Sequence, residues 1–190
     1  MGDYTGIVSV PPTLQPLLQN VAAARGRYVE LVLRLTEQQA QHKSAPDVWS
    51  AVEITEHLVW AEQGGIWGMW RAVEAYRSGR PVWTGEHTNR GRSIEAIVEQ
   101  TWQPKEQVPA IAAPRMGGSL RFWCASLLNL QDLLESFSRI VRENELETII
   151  HPHPISGPLD IRQRFEFLRF HIDRHRRQLG GCFPNPDAVL

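Results

Sequence analysis

Residues 50–78 read SAVEITEHLVWAEQGGIWGMWRAVEAYRS, a segment whose apolar side chains recur with the period of an α-helix. It opens with Ser50 and Glu53, the S-x-x-E pattern of a capping box, in which each side chain accepts a hydrogen bond from a free backbone N–H of the first turn. Gly79-Arg80-Pro81 follows, and glycine and proline commonly stand just after the end of a helix. We therefore predict a helix from Ser50 to about Ser78.

Further segments have the same helical periodicity. The first predicted helix runs from about Thr13 to Gln41, and the third and fourth long helices are predicted over about residues 119–144 and 159–179. A short helix capped by Ser93 is predicted to end near residue 102. Strand-like alternation of apolar and polar residues is scarce, so the sequence predicts an all-α fold.

The connections between these helices differ in length. Residues 79–118 contain Pro104, Pro109 and Pro114 and end in Gly117-Gly118, which favours an irregular path. Long helices joined mostly by short loops are typical of a four-helix bundle. We expect a single four-helix-bundle domain over residues 1–190, with a longer irregular connection between the second and third long helices.

The composition is that of an ordinary soluble protein and limits the classes of partner. Hydrophobic residues make up 42% of the chain, charged residues 22%, and the formal net charge is -1. This charge gives no reason to expect nucleic-acid binding. No apolar run is long enough for a membrane span, and no secretory signal is visible. The two cysteines, Cys124 and Cys182, cannot build a disulfide framework, so we expect a reduced, cytoplasmic location.

Three histidines are candidate metal ligands. His171 and His175 form an H-x-x-x-H pair on the fourth predicted helix, and His57 lies on the second. Residues four apart on an α-helix project about 40° from each other, so both imidazoles of the pair can reach one ion. A third imidazole from another helix would leave coordination positions open, as in catalytic metal sites. Small residues share the helix face of His57 and leave space for a ligand or a close helix: Ala61, Gly64 and Gly68.

Two known classes of metal site do not fit this pattern. Zincin proteases have Glu after the first His of the pair, and this chain has Ile172 there. Di-iron bundles need E-x-x-H motifs, and the chain contains none. From the residues alone, two interpretations stay open: the histidines bind a metal ion, or they are hydrogen-bonded core residues.

Two motifs carry a resemblance to a known family. The segment from Trp49 to Leu58, W-S-x-x-E-x-x-x-H-L, resembles the second-helix signature of the DinB-like superfamily, and H-x-x-x-H-x-x-Q from His171 to Gln178 resembles its final helix. The resemblance implies a four-helix bundle, commonly a homodimer, with a divalent metal held by residues matching His57, His171 and His175. Residues 79–118 match the family poorly, and this connection would shape any substrate pocket.

The resemblance also implies a class of activity. Characterised members include S-transferases and an isomerase that depend on low-molecular-weight thiols. The leading hypothesis is therefore a thiol-dependent S-transferase acting on a small molecule, with Zn²⁺ or Ni²⁺ as the ion. Because a metal ion can activate either a thiol or a water molecule, a metal-dependent hydrolase is an alternative. A non-catalytic, metal-stabilised dimer acting in binding or in a stress response is another.

Residues near the histidines have two possible roles. Glu53, one turn before His57, is a candidate catalytic residue as a proton acceptor, although the capping box also explains it. Gln178, close to the face of His171 and His175, could contact substrate or water. The fourth helix is rich in arginine, which indicates either a solvated basic face or recognition of the carboxylates of a thiol cofactor: Arg162, Arg164, Arg169, Arg174, Arg176 and Arg177.

Overall fold

The structure is a computed structural model that describes residues 9–103 and 107–180. This part of the chain contains six α-helices and no β-strand, only two isolated β-bridges. The all-α fold predicted from the sequence is therefore confirmed. The helices are α1, Leu14–Val32; α2, Glu37–Gln41; α3, Ala51–Arg77; α4, Ile94–Thr101; α5, Leu120–Ser138; and α6, Ile161–Gly180.

The second predicted helix is confirmed as α3, and its start follows from the capping box. Ser50 Oγ accepts a hydrogen bond from the backbone N–H of Glu53, and Glu53 Oε2 accepts one from the backbone N–H of Ser50 at 2.8 Å. The helix stops before Gly79, whose φ of 71° is left-handed and suits glycine. The short helix predicted after Ser93 is confirmed as α4, with Ser93 as its N-cap.

Two helices are shorter than the sequence predicted. The first predicted helix divides into α1 and α2 because Thr36 and Gln39 form a second capping box, which starts a new helix. The third ends at Ser138 rather than near residue 144. There Arg77 of α3 donates to the backbone carbonyl of Ile140 at 2.6 Å and to the carboxylate of Glu145, so the chain turns toward α3.

The four long helices surround one core. α1 packs against α5 and α6, and α3 packs against the same two helices. The connection from α3 to α5 contains α4 and a 3₁₀ turn, Ala110–Ala112, which packs on α3. No helix in the two described stretches combines the length and apolar character needed to cross a bilayer. The largest fully buried apolar side chains include Trp123, Tyr28, Phe137, Phe165 and Leu14.

A buried ion pair joins α1 and α3, and a hydrogen bond from the same arginine reaches α5. Arg25 on α1 donates to Glu62 Oε2 on α3 from Nε at 3.0 Å and from Nη2 at 2.6 Å, and both side chains are inaccessible to solvent. Arg25 Nη1 also donates to Gln131 on α5. Because a charge in a protein interior is costly without a counter-charge, the pair fixes the relative placement of α1 and α3.

We expect Glu62→Gln to lower the free energy of unfolding by about 3 kcal/mol, because Arg25 would keep its charge in the core without a counter-ion. Urea denaturation followed by circular dichroism measures the change. Glu30→Gln is the matched control, since Glu30 of α1 forms an exposed pair with Arg34, just after the helix, and such a pair contributes less than about 1 kcal/mol. Equal effects of the two substitutions would contradict the assigned role of Glu62.

Candidate metal centre

The three histidines come from two packed helices. α3 places His57, and α6 places His171 and His175 one turn apart on the side that faces α3. Their side chains are almost entirely removed from solvent, with 5%, 5% and 8% of their surface exposed. The structure thus brings together the three residues that the sequence singled out.

Their ring nitrogens converge on one point. His171 Nε2 lies 3.3 Å from His57 Nε2 and 3.1 Å from His175 Nε2. One nitrogen from each ring lies within 4.8 Å of the others, which makes the cluster able to hold a metal ion. Rings of Trp49 and Phe167 cover it, with centroids 5.0 Å from His57 and 5.7 Å from His171, respectively.

The other ring nitrogens fix the proton positions in two of the histidines. His57 Nδ1 lies 2.8 Å from the backbone carbonyl of Ala112, which can only accept, so Nδ1 carries the proton. His175 Nδ1 donates in the same way to Gln178 Oε1 at 2.9 Å. In the neutral rings, Nε2 of both histidines is therefore a free lone pair that points into the cluster.

Burial keeps the three imidazoles neutral. It lowers the pKa of His57, although the hydrogen bond to Ala112 acts in the opposite direction. Burial and then the neighbouring His175 and His57 hold the pKa of His171 well below its usual range. The pKa of His175 falls to about 3, with burial as the main cause and His57 as the next. At neutral pH the cluster is a set of neutral imidazoles, the form in which histidine binds metals.

The donor set fits a divalent transition metal. Imidazole nitrogen is a common ligand of zinc, copper, iron and nickel. In the protein alone, only His171 Nε2 can supply a proton to share among the three converging nitrogens. One shared proton cannot satisfy the lone pairs of both His57 and His175 well, and a cation could. Three protein ligands would also leave positions for another molecule.

A buried carboxylate next to His57 anchors the connection that reaches the cluster. Glu56 accepts hydrogen bonds from the backbone N–H groups of Arg115, Met116 and Gly117 at 2.7–2.8 Å, and from Trp60 Nε1. Burial raises the pKa of Glu56, but these hydrogen bonds outweigh it, so the pKa is lowered. The role of Glu56 was not predicted from the sequence; the available signal was an acidic residue within the apolar stretch of α3.

The other candidate residues have protein partners. The carboxylate of Glu53 accepts from the backbone N–H of Ser50 and from Lys43 Nζ at 2.9 Å. Gln178 is a partner of His175. Cys124 is buried, and burial raises the pKa of its thiol to about 11, so it is a core residue rather than a nucleophile. Cys182 lies outside the described residues.

The predicted small-residue face does not form one pocket wall. Gly68 packs against the ring of His151, and Gly64 borders an exposed groove together with Trp60 and Trp67. Gly65, rather than Gly64, faces α6, where it lies against Arg164. The space left at Gly68 is therefore occupied by a side chain of the protein itself.

Comparison with known proteins places the chain in a family. The family model described as DinB superfamily matches residues 20–179. A solved structure described as the conserved protein of locus from Enterococcus faecalis is similar, with a TM-score of 0.50 and 16% identity over 89% of this chain and 94% of that one. At that identity the likeness concerns the fold alone. No curated protein matches the sequence.

We expect Glu56→Gln to loosen the connection before α5, because an amide offers one acceptor oxygen where the carboxylate offers two. Hydrogen exchange of the amides of Arg115, Met116 and Gly117 should become about fivefold to a hundredfold faster, as loss of one or more buried hydrogen bonds costs about 1–3 kcal/mol. Glu74→Gln, on the exposed side of α3, is the control and should leave these rates unchanged. Unchanged exchange in Glu56→Gln would contradict the anchoring role.

Proposed function

The chain belongs to the DinB superfamily, and on that basis we propose that its histidine cluster binds one divalent ion, zinc or nickel. We further propose that the protein is a four-helix bundle of the DinB type and a metal-dependent enzyme. Its reaction would be the transfer of a low-molecular-weight thiol to a small electrophile. The packing of α1, α3, α5 and α6 around one core supports the proposed architecture.

One observation carries the proposal. His57, His171 and His175 present three Nε2 atoms to one point, while the opposite nitrogens of His57 and His175 donate to fixed acceptors. Such outer hydrogen bonds orient metal-binding imidazoles and make them better ligands. If the three histidines were only core residues, their buried lone pairs would be expected to face hydrogen-bond donors rather than one another.

The chemistry follows from the donor set. A divalent ion held by the three histidines would supply a Lewis acid that lowers the pKa of a thiol or a water molecule. In the transfer, the sulfur forms a bond to the electrophilic carbon, the leaving group departs with the electron pair of the broken bond, and the thiol proton is released. Glu53 is the proposed acceptor of that proton. Gln178 is a positioning residue in this proposal, since it holds the ring of His175.

The proposal extends to the partners and the location. A homodimer in the cytoplasm, acting on a small molecule rather than on nucleic acid, fits the family and the near-neutral charge. Exposed apolar side chains support an interface: Trp67 is 58% exposed and Ile111 is 77% exposed, and both border the groove on α3. Trp70 and Trp83 are partly buried.

We expect about one zinc or nickel ion per chain in protein purified without a histidine tag, measured by mass spectrometry of the metal. His57→Ala and His171→Ala should each lose the ion, because two imidazoles bind far more weakly than three. Gln178→Ala should weaken metal affinity about tenfold to a hundredfold, since it releases the ring of His175.

His42→Ala is the matched control, because His42 is exposed and lies outside the cluster. It should retain the ion. No metal in the parent protein, even after incubation with Zn²⁺ or Ni²⁺, would overturn the proposed metal centre.

We expect the metal-loaded protein to conjugate at least one biological thiol to chlorodinitrobenzene, a chromogenic electrophile, and His57→Ala to lose that turnover. Absorbance of the conjugate measures the rate for each thiol. If no thiol supports turnover in metal-loaded protein, the S-transferase proposal fails. Hydrolysis of ester or amide probes would then favour the hydrolase, and inactivity in every assay would favour a non-catalytic, metal-stabilised protein.

A further inference from the structure

One arginine on α6 differs from the other arginines of that helix in its burial and in its partners. The surface arginines of this helix have carboxylate, carbonyl or ring partners: Arg162, Arg169, Arg174, Arg176 and Arg177. Arg164 is buried, with 5% of its surface exposed. Within residues 9–103 and 107–180, its buried Nε and Nη1 atoms have no hydrogen-bond partner. Arg164 is therefore a buried cation that the described protein leaves without a counter-ion.

This arrangement is costly. Burial lowers the pKa of Arg164 to about 10, so the guanidinium keeps its charge at neutral pH. Its one described aromatic contact is Phe167, with the guanidinium carbon 5.5 Å from the ring centroid. A cation–π contact stabilises a buried cation by less than the loss of its hydration destabilises it. The buried Arg25, by contrast, has Glu62 as a counter-ion.

Two glycines of α3 make room for this cation and for a neighbouring histidine. A Cβ at Gly65 would lie 2.9 Å from Arg164 Nη2, and a Cβ at Gly68 would lie 2.2 Å from the ring of His151. These glycines are three residues apart and so lie on one side of α3. Arg164 and His151 therefore occupy adjacent places against a helix backbone that lacks side chains there.

The surrounding histidines also lack a negative partner. His151 Nδ1 is buried and has no hydrogen-bond partner among the described residues. His153 Nδ1 accepts from the backbone N–H groups of Ile155 and Ser156, so its Nε2 carries the proton and is a donor. Burial and then the charge of Arg164 lower the pKa of both histidines to about 3, which leaves them neutral.

We propose that Arg164, His151 and His153 form a binding site for the carboxylate group of a small molecule. A single guanidinium among neutral imidazoles balances one negative charge, which favours a carboxylate over a phosphate dianion. A carboxylate accepts hydrogen bonds from guanidinium and imidazole N–H groups alike. Arg71, the other cation near His151, lies at the surface over the ring of Trp67.

The proposed site is separate from the histidine cluster but close to it. The ring of Phe167 lies between them, 5.5 Å from the guanidinium of Arg164 and 5.7 Å from the ring of His171. Arg164 precedes His171 by seven residues on α6, about 10 Å along the helix axis. One small molecule could span both sites, yet carboxylate binding at Arg164 requires no metal.

The test is isothermal titration calorimetry of the full-length protein with sodium acetate, propionate and benzoate, at constant ionic strength. Benzamide is the neutral control ligand, since it has the same ring without the charge. We expect saturable binding of at least one carboxylate, none of benzamide, and at least tenfold weaker binding in Arg164→Met. Arg169→Met is the control variant, because Arg169 lies on the same helix and pairs with Glu95 and Asp173.

Stability gives a second measurement. With no probe present, Arg164→Met should melt at the same temperature as the parent or higher, because it removes an unpaired buried charge. A purely structural arginine would make this variant melt lower. If Arg164→Met does not fold, Arg164→Lys retains the charge but loses the planar fork, and it should bind the carboxylate more weakly than the parent.

Several results would overturn the proposal. They are failure of all three carboxylates to bind the parent, tighter binding of phenyl phosphate, titrated in the same way, than of benzoate, or retention of full binding in Arg164→Met. Binding lost in His57→Ala but kept in Arg164→Met would place the carboxylate at the histidine cluster instead. Binding kept in His57→Ala supports the site even if the metal proposal fails.

Discussion

The irregular connection before α5 depends on one buried carboxylate, that of Glu56. Three successive backbone N–H groups, from residues 115–117, donate to it. A segment with proline and paired glycines cannot satisfy these groups through its own secondary structure. Because Glu56 and His57 are neighbours on α3, the turn that anchors this connection also meets the carbonyl of Ala112 at His57 Nδ1. The placement of the connection and the proton position of one candidate metal ligand therefore depend on the same helix turn.

The cluster depends on these outer contacts because a neutral imidazole has two tautomers, with the proton on either Nδ1 or Nε2. With Nδ1 of His57 and of His175 engaged by acceptors, both Nε2 lone pairs are directed inward, where His171 meets them. Free rotation of either ring would let Nε2 turn away and reduce the mutual repulsion of the lone pairs. Ala112 on the connection and Gln178 on α6 oppose that rotation from two different elements. The hydrogen bonds of the fold itself thus set the geometry of the candidate metal centre.

Much of this could be predicted from sequence, and the misses have physical reasons. Ser50 starts α3 because capping is local, and Thr36 starts α2 by the same rule. The apolar stripe of α1 continues to Leu35, directly before Thr36, so periodicity alone predicts one helix there. The pairing of His171 with His175 was predictable, since helical spacing puts two imidazoles on one face. The place of His57 beside them as a ligand followed from the resemblance to a family. The end of α5 was not, because Arg77 reaches it from another helix. Contacts of Glu56 and Ala112 across an irregular segment follow no spacing rule either.

The two buried arginines show why burial alone does not define a role. Arg25 and Arg164 both lie on long helices and are buried. Glu62 compensates the charge of Arg25, whereas the described part of the chain offers Arg164 only a ring and neutral histidines. A stable fold alone would favour an apolar residue at position 164. A cation kept there, against glycines that leave it room, is accounted for by an anion that arrives from solution.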